Sequence, residues 1–185
     1  MGVNPYSDAG ETNELSVDRS IPDKAVVMVV LTDIPEIKEV GQNKTPVAEA
    51  QFLIQGGQYD GRKVRKSFWL NPTPKEGKDK SALYWTKVAL ADVNLKVMGA
   101  PEVEFLQGKE SPASAAKRAP FVQKWQQQIQ GAQDAKSLMT LACKPLLGKA
   151  IPARISVTDD GKFKNTEVGK FLSIEEYKKA TAPAA

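Results

Sequence analysis

The chain has 185 residues, about the length of one ordinary domain, and its 41% apolar and 26% charged residues are typical of a soluble globular protein. It contains no histidine, which rules out Ser-His-Asp and Cys-His nucleophiles and histidine metal sites, and its single cysteine, Cys143, rules out an internal disulfide and a thiolate zinc cage. The longest plainly apolar run, residues 25–31, is far too short to cross a bilayer, and the net charge of +4 is only mildly basic.

The first 23 residues are polar, acidic and without hydrophobic periodicity, so we expect residues 1–23 to form a flexible arm. The arm has no basic leader followed by an apolar segment, so no secretory signal is predicted and we expect the protein to be cytoplasmic. Residues 180–185 are predicted to be a flexible tail. The charged residues of the arm before position 20 are Asp8, Glu11, Glu14, Asp18 and Arg19.

Three strands are predicted in the first half of the chain. Residues 25–31 are rich in β-branched side chains and too few for a free-standing helix, which is typical of a strand buried on both faces. Residues 35–45 are predicted to be a turn or exposed loop. A second strand over 47–54, a glycine-rich connection over 55–61 and a third strand over 63–70 complete a β-meander.

The third strand separates its side chains into two faces of different chemistry. A period of two places on one face Val64, Lys66, Phe68 and Leu70. It places on the opposite face Lys63, Arg65, Ser67 and Trp69. The first set is the better core face, with Lys66 at an edge, and the second set puts two cations and a large aromatic ring on an accessible surface.

Helices are predicted to follow the third strand. A helix is predicted over 81–98 by a stripe at three- and four-residue steps, which consists of Ala82, Leu83, Thr86, Ala89, Leu90, Val93 and Val97. Residues 102–132 hold a second helix that begins at Ser111. Asp134 is predicted to cap a third, short helix. Cys143, at the end of that helix, has apolar neighbours and is expected to be a small buried hydrophobe.

The chain then returns to β-structure. Residues 151–157 alternate between apolar and polar side chains, Asp160-Gly161 is a strong hairpin signal, and a return strand is predicted over 163–172. A last helical turn is predicted over 174–179.

Three strands, a helical stretch and a closing hairpin form the β3–α–β2 order of an OB-fold, so we expect a mainly β chain with helices, of class α+β. The OB-fold is a partly open five-stranded barrel that often binds nucleic acid on strands 2 and 3. The predicted domain spans 24–179 and includes a helical insertion at about 101–132, which we expect to be dispensable for folding and DNA binding of the rest but required for assembly. The alternative is an α+β sandwich with an antiparallel sheet, because periodicity does not give the strand order.

Positive charge is concentrated between residues 62 and 80, which hold seven cations and two carboxylates. Such a stripe raises the local concentration of polyanions, nucleic acid among them. The alternative is a solvated surface, the ordinary place of lysine runs, and charge alone favours neither.

Two segments resemble a family of small bacteriophage-encoded proteins. The segment from Phe52 to Val64, FLIQGGQYDGRKV, is similar to a strand–loop–strand pattern in that family, and Leu147-Gly148-Lys149 with the strand and hairpin that follow is similar to the family's C-terminal half. These proteins lie among replication and recombination genes and were long catalogued as being of unknown function. Over residues 24–175 the resemblance implies an OB-fold protein that binds single-stranded DNA.

The chain departs from that family in two ways. Residues 101–132 are an insertion relative to the compact family pattern. Residues 180–185 carry no acidic tip of the kind with which many cellular single-strand binders recruit partners.

Single-strand binding requires stacking and phosphate contacts. Trp69 and Tyr59 are the candidate stacking residues, with a core tryptophan and a loop anchor as their alternatives. At least one of Tyr84 and Trp85 is expected to lie in the core, and Trp125 is expected to pack its helix against the barrel. The candidate phosphate contacts, each with a merely solvated side chain as its alternative, are Arg62, Lys63, Arg65, Lys66, Lys75, Lys78 and Lys80.

The sequence contains no catalytic constellation. The glycines of 56–61 are not followed by the Lys-Ser or Lys-Thr of a phosphate-binding loop. Asp33, Asp159 and Asp160 are candidate ligands of a divalent-metal nuclease, but Asp159-Asp160-Gly161 is better explained by turn chemistry. We therefore predict no enzyme activity, no metal and no cofactor.

The predicted function is non-catalytic, sequence-independent binding of single-stranded DNA in phage replication or recombination, in the cytoplasm of the host cell. Phage or host replication and recombination proteins are expected partners, and no membrane is expected. The sequence does not decide whether the chain forms a homo-oligomer. The alternative is a virion, assembly or protein-interaction module that docks through the helical insertion, and a weaker one is a nuclease. RNA stays an alternative to DNA.

Overall fold

The strands and helices follow the predicted order. The computed structural model describes residues 20–159 and 164–182 of the chain. The Asp160-Gly161 turn and residues 1–19 of the predicted arm lie outside these ranges. The strands are β1 Val26–Leu31, β2 Ile37–Val40, β3 Thr45–Gln55, β4 Lys63–Trp69, β5 Phe105–Leu106, β6 Lys109–Glu110, β7 Ala150–Asp159 and β8 Lys164–Phe171. The α-helices are α1 Ala82–Val97, α2 Pro112–Ile129, α3 Ala135–Cys143 and α4 Ile174–Thr181.

The folded part of the chain extends beyond the predicted domain boundaries at both ends. Ile21, within the predicted arm, is 6% exposed and belongs to the hydrophobic core. The Asp23 carboxylate accepts a hydrogen bond of 3.0 Å from the Val157 N–H, and the Lys24 N–H donates one of 2.9 Å to the Ile155 carbonyl. Residues 20–23 are therefore part of the fold, and α4 likewise continues two residues into the predicted tail.

Five strands close into a ring. β1 pairs antiparallel with β3 and β7, β3 pairs with β4, and β7 pairs with β8. A parallel pairing of β4 with β8, at Arg65 and Glu167, closes the ring. The chain is therefore a mixed α+β protein with a closed ring of strands, and the parallel pair distinguishes it from a purely antiparallel sheet.

β2 lies in a segment that the sequence predicts to be a loop. It pairs antiparallel with β3 at the edge of the sheet, and its side chains after Ile37 are exposed. An exposed edge strand buries no alternating face, so it leaves no period-two signal in the sequence. Gly41, with a φ of +71°, then turns the chain into β3. The loop prediction is wrong for the four residues of β2 and correct for the turn that follows.

The three central helices pack on one another and are joined through one buried amide. Asn94 of α1 is 1% exposed. Its Nδ2 donates to the Ala142 carbonyl of α3 at 3.1 Å, and its Oδ1 accepts from Gln128 Nε2 of α2 at 3.2 Å. The side chain therefore satisfies its buried polar atoms by crossing between three helices, as a buried amide must.

The predicted insertion contributes to the main core. Trp125 of α2 is 6% exposed and lies in one hydrophobic cluster with Phe52 and Ile151 of the ring and Leu90 of α1. Trp125 is buried as expected, but α2 packs mainly on α1 and α3 rather than on the strands. This position argues against the expectation that residues 102–132 are dispensable for folding.

Candidate nucleic-acid interface

A groove lies where the end of β4, the loop 70–81 and the first turns of α1 meet. It has a volume of about 910 Å³ and brings together five of the nine predicted site residues together with Trp85, while Asp79 is an acidic lining residue. We call it the β4–α1 groove and define it by Lys66, Trp69, Lys75, Lys78, Lys80 and Trp85.

The alternation of β4 places Trp69 on the outside of the ring. Val64 and Phe68 are buried, whereas Lys63 and Arg65 are exposed, so the predicted division of this strand into two faces is confirmed. Trp69 is 46% exposed. It is therefore not a core tryptophan.

Two hydrogen bonds attach the start of helix α1 to the end of β4, at Trp69 and Asn71. The buried Thr86 hydroxyl donates to the Trp69 carbonyl at 2.8 Å, and the Leu83 N–H donates to the Asn71 carbonyl at 3.0 Å. Trp85 is next to Thr86 in the chain, so these bonds fix the helix in the position that brings Trp85 to the groove beside Trp69. Local hydrogen bonds thus join two exposed tryptophans from different elements at one surface.

The expectation that Tyr84 or Trp85 lies in the core is wrong. Tyr84 is 42% exposed and Trp85 is 60% exposed. Helix α1 buries Thr86, Leu90 and Val93, which follow each other at four- and three-residue steps. The two aromatic residues lie off this stripe. The predicted apolar stripe of this helix does not include Tyr84 or Trp85, and this was the feature of the sequence that indicated their exposure.

The loop 70–81 presents its lysines on a backbone closed by short-range hydrogen bonds. The Lys78 N–H donates to the Lys75 carbonyl at 3.0 Å, a turn that Gly77 permits with its φ of +71°. The Ser81 hydroxyl accepts from the Tyr84 N–H at 3.1 Å and caps α1. Lys75, Lys78 and Lys80 are all exposed, so their ammonium groups face solvent along the groove.

Lys66 differs from the loop lysines because it is half-buried. It lies on the core face of β4, and its Nζ donates to the Val168 carbonyl of β8 at 2.9 Å. Burial lowers the pKa of Lys66 below the ordinary 10.5, and the nearby Glu167 carboxylate offsets part of that effect. Lys66 is thus a cation held at the closure of the ring and at the wall of the groove.

The lowered pKa of Lys66 predicts a pH dependence of stability. The unfolded chain holds this proton more tightly than the folded chain does, so the free energy of unfolding should rise as pH increases from neutral towards 10.5. Thermal melts of the wild type and of Lys66→Met over this range should show that rise in the wild type and lose it in the variant. Lys63→Met, at an exposed lysine of the same strand, is the control. Parallel pH profiles for the wild type and Lys66→Met would contradict the prediction.

Three predicted site residues lie at the other end of β4. Arg62 and Lys63 are exposed where the strand begins, and Lys63 lies six residues before Trp69 along the strand, a distance of about 20 Å. Tyr59 lies in the 3-10 turn Gly57–Tyr59, half-buried against the hydrophobic core. Its position is that of a loop anchor, and none of the three lines the groove.

Arg65 is held by acidic and amide groups on the outer face of the sheet. Its guanidinium donates to Glu49 at 3.1 Å and to the Asn165 Oδ1 at 2.6 Å, and Glu167 lies 3.9 Å away. The two carboxylates offset its charge. Arg65 therefore adds little positive potential to this face, and it does not line the β4–α1 groove.

The candidate groups for other chemistry are separate from the groove. Cys143 is 1% exposed, as predicted, and burial raises the pKa of its thiol to about 12, which keeps it unreactive at neutral pH. Within residues 20–159 and 164–182, no cluster of three or more histidine, cysteine or acidic side chains is arranged to hold a metal ion. None of the helices in these ranges is long and apolar enough to cross a membrane.

No family model matches the chain, and no curated protein matches its sequence.

Proposed function

We propose that the chain is an OB-fold protein whose β4–α1 groove binds single-stranded DNA without reading its sequence. The fold part of the proposal is supported by the strand order of the ring, β1–β3–β4–β8–β7. This is a five-stranded closed path with a helical stretch between its third and fourth strands along the chain, as in an OB-fold. β4 is then the third barrel strand, on the face that such proteins use for oligonucleotides.

The observation that carries the binding proposal is the meeting of Trp69 and Trp85 with four lysines in one groove. Both indoles are largely exposed, although burying them would stabilise the fold. An exposed indole can stack on any base, with about 1–3 kcal/mol per stacked base. Stacking needs bases that are free of a partner strand, so the groove favours single strands over duplex.

The lysines supply the second half of the interaction. Lys75, Lys78 and Lys80 line the same groove as the tryptophans with exposed ammonium groups that match phosphates as point charges. Contacts of this kind release counterions and carry no sequence information. Phosphate contacts and stacking together bind the backbone and the faces of the bases. Neither reads the base edges, so the binding does not depend on sequence.

The biological setting of the proposal rests on the resemblance of residues 24–175 to phage replication and recombination proteins. In that setting the chain protects or organises single strands in the host cytoplasm, together with phage or host replication and recombination proteins. No enzyme activity and no cofactor are part of the proposal.

A charge-reversal pair tests the location of the groove. Lys75→Glu/Lys78→Glu should lower the affinity for labelled oligo-dT by about 25-fold at about 0.1 M salt, since two lost contacts reduce the log–log salt slope by about 1.4. Fluorescence anisotropy titrations over a series of salt concentrations measure both quantities.

The matched control is Arg62→Glu/Lys63→Glu, which makes the same change in net charge at the far end of β4. It should leave the slope nearly unchanged. Equal changes in slope for both double variants would mean that the strand follows the whole basic stripe instead of the groove, and no binding by the wild type would overturn the proposed function.

A second candidate function, docking of a protein partner through the segment 101–132, is favoured by one observation. The β5–β6 hairpin exposes 71% of Phe105 and 62% of Leu106. It is tied to α2, because the buried Ser114 hydroxyl accepts from the Glu104 N–H at 3.1 Å and Arg118 binds Glu110 at 2.9 Å. Phe105→Ser/Leu106→Ser should leave oligo-dT binding unchanged. A loss of that binding would place the hairpin in the DNA interface and remove this candidate.

A further inference from the structure

We infer that Tyr84 is a positioning residue that holds Trp85 and Lys80 ready for nucleic acid. The inference rests on the proposed function of the β4–α1 groove and adds a residue that does not itself line it. Tyr84, in the first turn of α1, contacts two residues that do line the groove. It forms an aromatic pair with Trp85 and a cation–π contact with Lys80.

The contact with Trp85 is an edge-to-face aromatic pair. The ring centroids are 5.2 Å apart and the planes make an angle of 85°. This geometry places the positive edge of one ring against the negative face of the other and is the favoured arrangement for aromatic pairs. An exposed indole would otherwise sample several rotamers, and Tyr84 restricts it.

The contact with Lys80 uses the same ring. The Lys80 Nζ lies 4.9 Å from the centroid of Tyr84, within the range of a cation–π interaction. Lys80 directly precedes the Ser81 cap, whose hydroxyl accepts from the Tyr84 backbone N–H. One ring therefore orders a stacking group and a phosphate-binding group on either side of the same helix start.

Positioning of this kind raises affinity by removing an ordering cost. A rotamer-rich side chain that is immobilised on binding lowers the affinity by a factor of about two to ten, and a pre-ordered one avoids that loss. Tyr84→Ala should therefore weaken oligo-dT binding by about three- to tenfold. Tyr84→Phe, which keeps the ring, should bind like the wild type. Val88→Ala, an exposed change one turn further along α1, is the matched control.

A mutant cycle separates positioning from direct stacking by Tyr84. In a Lys80→Ala/Trp85→Ala background, the addition of Tyr84→Ala should change affinity by less than about twofold, because the groups it positions are already gone. A loss as large as in the wild type would mean that Tyr84 itself stacks on a base, and it would overturn the inference. An unchanged affinity of the Tyr84→Ala single variant would overturn it as well.

A measurement on the free protein separates this inference from the proposed function. With 5-fluorotryptophan incorporated, the fluorine NMR resonance of Trp85, assigned through Trp85→Phe, reports the mobility of its indole. Tyr84→Ala should make that resonance relax as a more mobile group, whereas Tyr84→Phe should not. Unchanged mobility overturns the positioning role even if the protein binds DNA. Restricted mobility in a protein that binds no oligo-dT overturns the proposed function of the groove instead.

Discussion

Replacing both Trp69 and Trp85 by alanine should cost about 2–6 kcal/mol of binding free energy for oligo-dT, since each lost stack is worth about 1–3 kcal/mol. The log–log salt slope should stay nearly constant, because stacking releases no counterions. This combination, a large loss of affinity at a constant slope, differs from the result expected for the lysine reversals, which should lower the affinity and also reduce the slope. Anisotropy titrations of both variants in one salt series therefore measure the two halves of the interface separately.

Folding should be nearly unaffected by the double substitution. Trp69 is 46% exposed and Trp85 is 60% exposed, so alanine leaves no closed cavity at either site. Phe105→Ala is the matched control, since it removes an exposed aromatic side chain away from the groove. Normal binding by the double variant would contradict the stacking proposal, and an early thermal transition would show that the indoles serve the fold.

Tryptophan fluorescence gives an independent measure of the same contact. Bases stacked on Trp69 and Trp85 should quench both on addition of oligo-dT, whereas Trp125, buried in the core, should keep its emission. Single Trp→Phe variants assign the signals. Quenching confined to one of the groove indoles would assign stacking to that residue alone.

The faces of the elements were predictable because each depends on local periodicity. The alternation of β4 placed Trp69 on the accessible face. The stripe of α1 left out Trp85, although at least one of Tyr84 and Trp85 was expected in the core because of its large apolar ring. Periodicity does not predict which exposed residues of two different elements come together on one surface. That depends on the angle at which α1 leaves β4, fixed here by the bond from Thr86 to the Trp69 carbonyl. Sequence periodicity cannot predict this hydrogen bond, because its two residues are seventeen positions apart.

The charge of the outer sheet face was equally hidden from sequence reasoning. Arg65 was predicted as a phosphate contact because it lies in a run of cations. Its actual neighbours, Glu49 and Glu167, come from β3 and β8, and the second of these arrives through the parallel pairing that closes the ring. Counting charge along the chain therefore overstated the positive potential of β4.

Truncation of Trp125 to alanine should lower the free energy of unfolding by about 3–5 kcal/mol, the usual cost of removing a buried large aromatic side chain. Trp125 is 6% exposed and lies within the cluster that joins the ring to α1. Phe121, Val122 and Ile129 flank it on the same side of α2, half-buried against that cluster. Urea titrations followed by circular dichroism measure the change.

Gln126→Ala is the control, because Gln126 is the exposed neighbour of Trp125 and its replacement should stay within about 0.5 kcal/mol of the wild type. A loss below about 1 kcal/mol for Trp125→Ala would support the view of residues 101–132 as a separable insertion.

The effect on binding follows from where α1 lies. α1 carries Trp85 on its exposed side and contacts α2 and α3 through the opposite, buried side. Where the Trp125→Ala protein is still folded, oligo-dT affinity should therefore be close to that of the wild type, because the bonds from Thr86 and Leu83 that fix α1 on β4 do not involve α2. A stable variant that has lost binding would instead mean that α2 sets the position of α1, and with it the position of Trp85 in the groove.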